Sequence, residues 1–67
     1  MLSYNPLWKM LIDRRMKKTD LYDAVDLSRG TVTKMGRDEP VSLSVIIRIC
    51  EYFHCGIGDV VEYIHED

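Results

Sequence analysis

The sequence predicts a single small all-α domain, and three observations lead to that prediction. The chain has 67 residues, which is enough for one domain with one hydrophobic core. Its apolar residues recur at spacings of three and four, the period of a helix that buries one face. Helix-capping residues and glycines divide these apolar segments into short units. We therefore expect several short helices whose apolar faces share one core.

The composition argues against several other classes of protein. Hydrophobic residues make up 46% of the chain and charged residues 30%, which is typical of a globular domain and not of a disordered one. No apolar run approaches the roughly 20 residues of a membrane helix, and the start of the chain does not resemble an export signal. We expect a cytoplasmic protein with no membrane partner, in which Cys50 and Cys55 are free thiols.

The first helix is predicted to begin at Asn5 and to fade near residues 15–16. Asn is a good N-cap, and Pro6 is tolerated in the first turn because the N–H that it lacks would have no helical partner there. Four apolar residues at helical spacing define its inward face: Leu7, Trp8, Leu11 and Ile12.

Residues 18–36 are predicted to form two short helices joined by a tight turn. The first starts near residues 18–19, with Thr19 as its cap, and ends near Asp26. The second begins after Ser28, a further cap residue, and Gly36 is predicted to end it in a left-handed conformation. The inward-facing residues of the pair are Leu21, Ala24, Val25, Val32 and Met35. Two helices around such a turn form a helix-turn-helix.

A fourth helix, capped by Ser42, has the strongest amphipathic pattern in the chain and is predicted to end at residues 54–56. Its predicted buried stripe consists of Leu43, Ile46, Ile47, Ile49, Cys50 and Phe53. A last short turn or helix is predicted over residues 57–61. Residues 62–64 alternate in polarity and are predicted to be extended, at the start of a C-terminal tail over residues 62–67.

The run from Lys18 to Met35 resembles the Xre/Cro-like, phage-repressor-type helix-turn-helix family. The apolar pattern after Ser42 is similar to the fourth helix of that family, and residues 57–61 resemble its fifth. The resemblance covers roughly residues 7–61. It implies that residues 1–67 form one compact five-helix, lambda-repressor-like DNA-binding domain with a short C-terminal tail. It also implies a sequence-specific transcriptional regulator, usually a repressor, from a bacterium, phage or mobile element.

The chain departs from the usual pattern of this family at three positions. Tyr22 stands where the family usually has Ala, and Asp26 occupies the turn position where Gly is usual. Gly36 stands where Glu is common. Asp is able to adopt the left-handed conformation that the turn requires, so the helix-turn-helix is still expected.

The charge distribution fits a nucleic-acid partner better than the net charge of −2 does. Residues 1–37 carry eight Lys or Arg and four acids, a balance of +4, whereas residues 38–67 carry one Arg and seven acids, a balance of −6. Because salt screens charges beyond about 8–10 Å, a basic face is able to bind a polyanion while the acidic half lies elsewhere.

The resemblance implies that helix 28–35 enters the major groove of double-stranded DNA. The residues expected to read bases are Arg29, Gly30, Thr33 and Lys34. Arg29 is the leading candidate, because a guanidinium grips the two acceptors of guanine. Gly30 indicates either a close approach of the backbone to DNA or a position without readout. The residues expected to contact phosphates are Lys17, Lys18, Thr19, Ser28, Thr31 and Arg37.

The remaining residues predict one further partner, a second copy of the chain, and no catalytic or metal site. We expect a homodimer, with an interface formed by Val60, Val61, Tyr63 and Ile64. The Cys and His spacing fits no zinc pattern, and no nucleophile is paired with a base, so we expect no metal, cofactor, small-molecule ligand or enzymatic activity. Two alternatives stay open: a protein-interaction module or antitoxin-like adaptor with weak DNA binding, and a degenerate domain that has lost its affinity for DNA.

Overall fold

Four α-helices, two single turns of 3-10 helix and a two-stranded sheet make up the computed structural model, which describes residues 1–66. The α-helices are α1 (Asn5–Asp13), α2 (Leu21–Ala24), α3 (Arg29–Gly36) and α4 (Leu43–Phe53). One 3-10 turn, Lys18–Asp20, leads into α2, and the other, Ile57–Asp59, follows α4. The strands are β1 (Leu2–Ser3) and β2 (Glu62–Tyr63). The chain is mainly helical as predicted, but the five-helix count is wrong, because residues 57–59 form only a 3-10 turn.

A serine side chain caps the start of α3 and another caps the start of α4. The Ser28 hydroxyl accepts a hydrogen bond from the N–H of Thr31 at 3.1 Å, and the Ser42 hydroxyl accepts one from Val45 at 3.4 Å. Both predicted caps are therefore confirmed. Thr19, by contrast, lies inside the first 3-10 turn and caps nothing.

The first helix begins at Asn5 as predicted, but its cap and its end differ from those expected. Asn5 is its first residue and Tyr4 its cap. The helix ends at Asp13, because the chain turns away at Arg15, which has a left-handed φ of 56°. Arg14 then reaches the end of α4: its guanidinium carbon lies 5.0 Å from the Phe53 ring centroid, and its Nη2 donates to the Phe53 carbonyl at 3.4 Å.

Left-handed residues that are not glycine separate the helices. They are Arg15, Asp26, Asp38 and His54, with φ between 54° and 58°. Asp26 supplies the left-handed turn of the helix-turn-helix, as predicted. The prediction for Gly36 is wrong: no glycine in residues 1–66 has a positive φ, and the chain instead turns two residues later, at Asp38. An aspartate side chain tolerates this conformation better than most side chains do.

The core draws on every helix and on both ends of the chain. Its buried apolar residues are Tyr4, Leu7, Leu11, Leu21, Val25, Leu27, Val32, Met35, Val45, Ile46, Ile49, Phe53 and Val60. Tyr4, Leu27, Val45 and Val60 were not predicted to be core residues. Tyr4, Leu27 and Val60 lie at or beyond the end of an apolar pattern, where helical spacing carries little information. Val45 instead lies inside α4, four residues before the buried Ile49.

Three residues predicted to be buried are exposed instead. Ile12 is 72% exposed, Leu43 61% and Ile47 44%. Leu43 and Ile47 are four residues apart and so lie on one edge of α4, whereas Ile46 and Ile49 face the core. The sequence pattern therefore overstated the width of the buried stripe of α4.

The short sheet joins the two ends of the described chain. β1 and β2 are antiparallel, with Leu2 opposite Tyr63 and Ser3 opposite Glu62. The N–H of Ile64 donates to the carbonyl of Met1 at 2.7 Å, which extends the pairing by one residue. The extended conformation predicted for residues 62–64 is thus present at Glu62–Tyr63, and its partner strand β1 was not predicted. Within residues 1–66, no helix has the length and apolar character needed to cross a membrane.

Candidate nucleic-acid interface

The turn between α2 and α3 is held by one carbonyl and one buried side chain. The Leu21 carbonyl accepts hydrogen bonds from the N–H groups of Val25 at 3.2 Å and Leu27 at 3.3 Å. Leu27 is 4% exposed, so the turn is fixed to the core on its inner side. Arg48 of α4 adds a contact at 3.5 Å from its Nη1 to the carbonyl of Asp26. These contacts set the direction in which α3 leaves the turn.

The outer face of α3 consists of the four residues predicted to read bases. Its inner face, Val32 and Met35, is buried in the core. Arg29, Gly30, Thr33 and Lys34 are all exposed and are related by spacings of three and four, so they share one side of the helix. Arg37 is also exposed and continues this side just beyond the helix end.

The start of α3 leaves main-chain donors free. The Ser28 hydroxyl satisfies the N–H of Thr31 and lies 2.9 Å from the Thr31 hydroxyl, so these two side chains are occupied with capping. The N–H groups of Arg29 and Gly30 precede the first helical hydrogen bond and have no helical acceptor. Such a helix start is suited to bind an anion. Ser28 and Thr31 therefore act mainly by ordering the start of α3.

Gly30 is not required by the packing of the protein. Its φ is not positive, and a Cβ built at this position would have its nearest neighbour, the Ser28 hydroxyl, at 4.0 Å. The fold alone would therefore accept a larger residue at the outer surface of α3.

Lys18 and its neighbours lie at the entrance to α2. Lys17, Lys18 and Thr19 are exposed. The ammonium of Lys18 lies 4.3 Å from the centroid of the Trp8 ring, at cation–π distance. A Cβ at Gly36 would be 4.0 Å from the same ammonium, which places Lys18 beside the last residue of α3. Trp8 thus holds this lysine near α3, an arrangement that was not predicted from the sequence.

Comparison with known proteins gives the fold a family. Residues 6–66 match the sequence model of the Cro/C1-type helix-turn-helix DNA-binding domain. The chain belongs to this family. The HTH-type transcriptional regulator YozG of Bacillus subtilis (strain 168) is 32% identical over 56 residues, which is 81% of this chain and 67% of YozG. The crystal structure of the transcriptional regulator VanUg, Form II, has a TM-score of 0.90 and 52% identity, over 97% of this chain and 87% of VanUg. The predicted Xre/Cro-like relationship is confirmed.

In this Cro/C1-type domain, the four residues predicted to form a dimer interface have different environments. Val60 is completely buried and has no surface to offer a second copy, because it ends the turn that packs onto the core. Val61 is partly buried against the same core. Tyr63 and Ile64 are 64% and 40% exposed. Of the four predicted residues, Val60 is therefore not at the surface, whereas Tyr63, Ile64 and part of Val61 are.

Two residues that contact the candidate interface were not predicted from the sequence. Tyr22 of α2 lies beneath Arg29, with 5.5 Å between its ring centroid and the guanidinium carbon. Arg48 lies at the α2–α3 turn although it belongs to α4. Arg48 is the one basic residue in the acidic second half, and Tyr22 is a departure from the family pattern. The sequence therefore marks both residues as unusual. It does not show which residues they contact, because those contacts depend on how the helices pack.

Proposed function

We propose that this Cro/C1-type domain is a sequence-specific transcriptional repressor that acts in the cytoplasm on double-stranded DNA. Residues 28–35 would lie in the major groove. The observation that carries the proposal is the division of α3 into a buried face, Val32 and Met35, and an exposed face with Arg29 and Lys34 at its edge. Because the buried face is locked into the core, the exposed face is presented as a rigid surface, which base readout requires.

The exposed face of α3 supplies different kinds of contact. Arg29, at the start of the helix, has the fork of donors that pairs with the O6 and N7 of guanine. Thr33 offers a methyl group to thymine and a hydroxyl to a base or phosphate, and Lys34 offers a flexible donor. Gly30 lets the DNA approach the backbone between them.

Phosphate contacts would fix the position of α3 on the duplex. The free N–H groups at the start of α3 bind one phosphate, with Ser28 and Thr31 ordering the turn. Arg37 and Lys34 flank the other end of the helix. Lys17, Lys18 and Thr19 contact the backbone from the entrance to α2. These contacts set affinity and register, whereas base contacts set preference.

A homodimer would place two copies of α3 on successive turns of the same face of DNA. Half-sites of such regulators are spaced about 34–36 Å apart. The longest dimension of the domain is 38 Å, so two copies side by side are of a suitable size. We assign Val61, Tyr63 and Ile64 to the contact between the copies. Nearby, Leu2, Val41, Leu43 and Ile46 line an apolar depression of about 200 Å³, which also includes Val61.

Selection of bound sequences from a random DNA pool tests the proposal directly. We expect one enriched motif, and an affinity for it that falls steeply as salt is raised, because phosphate contacts release counterions. Arg29→Ala should remove the preference at one base pair, at a cost of about 1–3 kcal/mol. Lys9→Ala, an exposed charge change on α1, is the matched control. A pool without enrichment, or a salt slope near zero, would contradict the proposal.

A protein-binding adaptor is the second candidate function. The exposed Leu43 and Ile47 on α4 favour it, since apolar side chains on an acidic half of the chain are suited to a protein partner. If the regulatory activity of the protein survives Arg29→Ala and Lys34→Ala but is lost in Ile47→Ser, the protein acts as an adaptor instead.

A further inference from the structure

We propose that Tyr22 is a positioning residue for Arg29: its ring holds the guanidinium in the orientation in which Arg29 reads a base. The inference rests on the proposed DNA-binding function and concerns a residue of α2 outside the recognition helix. The guanidinium carbon of Arg29 lies over the Tyr22 ring, 5.5 Å from its centroid. This distance is within the range of about 6 Å in which the electron-rich face of an aromatic ring attracts a cation.

Tyr22 is a rigid support because of the way α2 is held. The preceding residue, Leu21, is completely buried, and its carbonyl accepts the two hydrogen bonds that close the turn. Tyr22 itself is half-buried and packs against the core. The left-handed Asp26 reverses the chain between the two residues, so that the start of α3 returns to the side of α2 that carries Tyr22.

Arg29 needs such a support because it is otherwise unrestrained. It is exposed, and in residues 1–66 its guanidinium forms no hydrogen bond within the geometric limits for such bonds. Ordering a free arginine side chain costs conformational entropy, because its rotatable bonds lose their freedom. A ring that restricts the side chain in the free protein removes part of this cost before DNA binds.

The chemistry of the support also leaves Arg29 able to bind a base. A carboxylate partner would occupy the N–H donors that guanine requires. An aromatic ring instead contacts the face of the guanidinium, while the donors lie around its edge. Tyr22 therefore restricts the direction of the side chain without consuming its hydrogen-bonding capacity.

The test is a double-mutant cycle on the DNA motif that the protein selects. Tyr22→Leu keeps an apolar side chain on α2 but removes the ring, and we expect it to weaken binding to the motif by about two- to fivefold. Tyr22→Phe keeps the ring face and should bind as the wild type does. In an Arg29→Ala background, Tyr22→Leu should have no further effect. Tyr52→Leu, which removes an exposed ring from α4, is the control.

A measurement without DNA keeps the inference separate from the proposed function. In the free protein, the NMR signals of the Arg29 side chain should show a ring-current shift that disappears in Tyr22→Leu and persists in Tyr22→Phe. Absence of that shift in the wild type would overturn the inference. Equal losses from Tyr22→Leu with and without Arg29, or on DNA of unrelated sequence, would also overturn it. A ring-current shift without any DNA preference would instead contradict the proposed function.

Discussion

The hydroxyl of Tyr4 donates a hydrogen bond to the main-chain carbonyl of Glu39, 2.8 Å away and 35 residues later in the chain. The N–H of Tyr4 also donates to Asp38 Oδ1 at 3.3 Å. Tyr4 is 1% exposed and precedes α1, whereas Asp38 and Glu39 follow α3. One buried residue therefore fixes the segment that follows α3 to the start of the fold.

Removing the hydroxyl of Tyr4 should lower the free energy of unfolding. In Tyr4→Phe the carbonyl of Glu39 loses its donor while the ring still fills the core, and we expect a loss of about 1 kcal/mol. Urea denaturation followed by circular dichroism measures it. Tyr52→Phe, at a 47% exposed tyrosine, should change stability by less than about 0.5 kcal/mol. Equal effects of the two variants would contradict the structural role of this hydrogen bond.

The same tyrosine predicts a loss of stability in alkali. Burial raises the pKa of Tyr4, and the negative charge of Asp38 raises it further. The native state then holds this proton more tightly than the unfolded state, whose tyrosine titrates at about 10. The contribution is fully present below that pH and is lost as pH rises through the higher native pKa. Urea midpoints measured across this range should fall more steeply for the wild type than for Tyr4→Phe, and parallel curves would contradict the prediction.

Glycine at the end of α4 should stabilise the protein. His54 has φ 54° and ψ 51°, a conformation that strains a residue with a Cβ by about 1–2 kcal/mol. Glycine removes the strain, but its greater freedom in the unfolded state offsets part of the benefit. His54→Gly should therefore raise the free energy of unfolding by up to about 1 kcal/mol. His54→Ala keeps the Cβ and should gain nothing. Thermal unfolding compares the two variants, and a gain from alanine as large as that from glycine would exclude this explanation.

Gly30→Ala should stabilise the free protein by about 0.5–1 kcal/mol, because alanine favours a helix and the added methyl meets no atom closer than 4.0 Å. Chemical denaturation measures this gain, and a destabilised variant would refute it. Binding to the selected DNA then distinguishes the two explanations of the glycine. Weaker binding by the more stable variant indicates that DNA contacts the backbone at Gly30, whereas unchanged binding indicates a position without contact.

The proposed dimer contact predicts a change of association in one variant. Ile64 is 40% exposed, and burying it between two copies would contribute up to about 1.5–3 kcal/mol per copy. Ile64→Glu should therefore raise the dimer dissociation constant at least about tenfold. Light scattering at tens of micromolar measures the association of both proteins. Ile12→Glu, at an exposed isoleucine of α1, is the matched control, and a wild-type monomer would contradict the proposal.

Features that depend on neighbouring residues could be predicted from the sequence. Ser28 and Ser42 cap helices through bonds to N–H groups three residues away, so their role is visible in a short window. The exposed face of α3 follows equally from helical spacing. The left-handed turn at Asp26 could also be predicted, because the family resemblance marks that position as a turn.

Features that depend on tertiary packing were not predictable. The left-handed residue after α3 was predicted at Gly36 but is Asp38. Asp38 contacts Tyr4, a residue from the other end of the fold, and this contact is not visible in the local sequence. The exposure of Ile47 reflects which edge of α4 is covered by other elements. The contacts of Lys18 with Trp8 and of Arg29 with Tyr22 join different helices. A pattern along one helix contains no information about such partners.

The pairing of β1 with β2 brings the first residues of the described chain beside residues 62–64. Residues 1 and 64 are hydrogen-bonded neighbours, so a short linker could join these two residues without moving a helix. The order of the helices in the sequence could then be permuted, with new ends opened in the loop between α3 and α4. In such a permutant the sheet becomes a local hairpin, and we expect faster folding, because the contact most distant in sequence becomes one of the nearest.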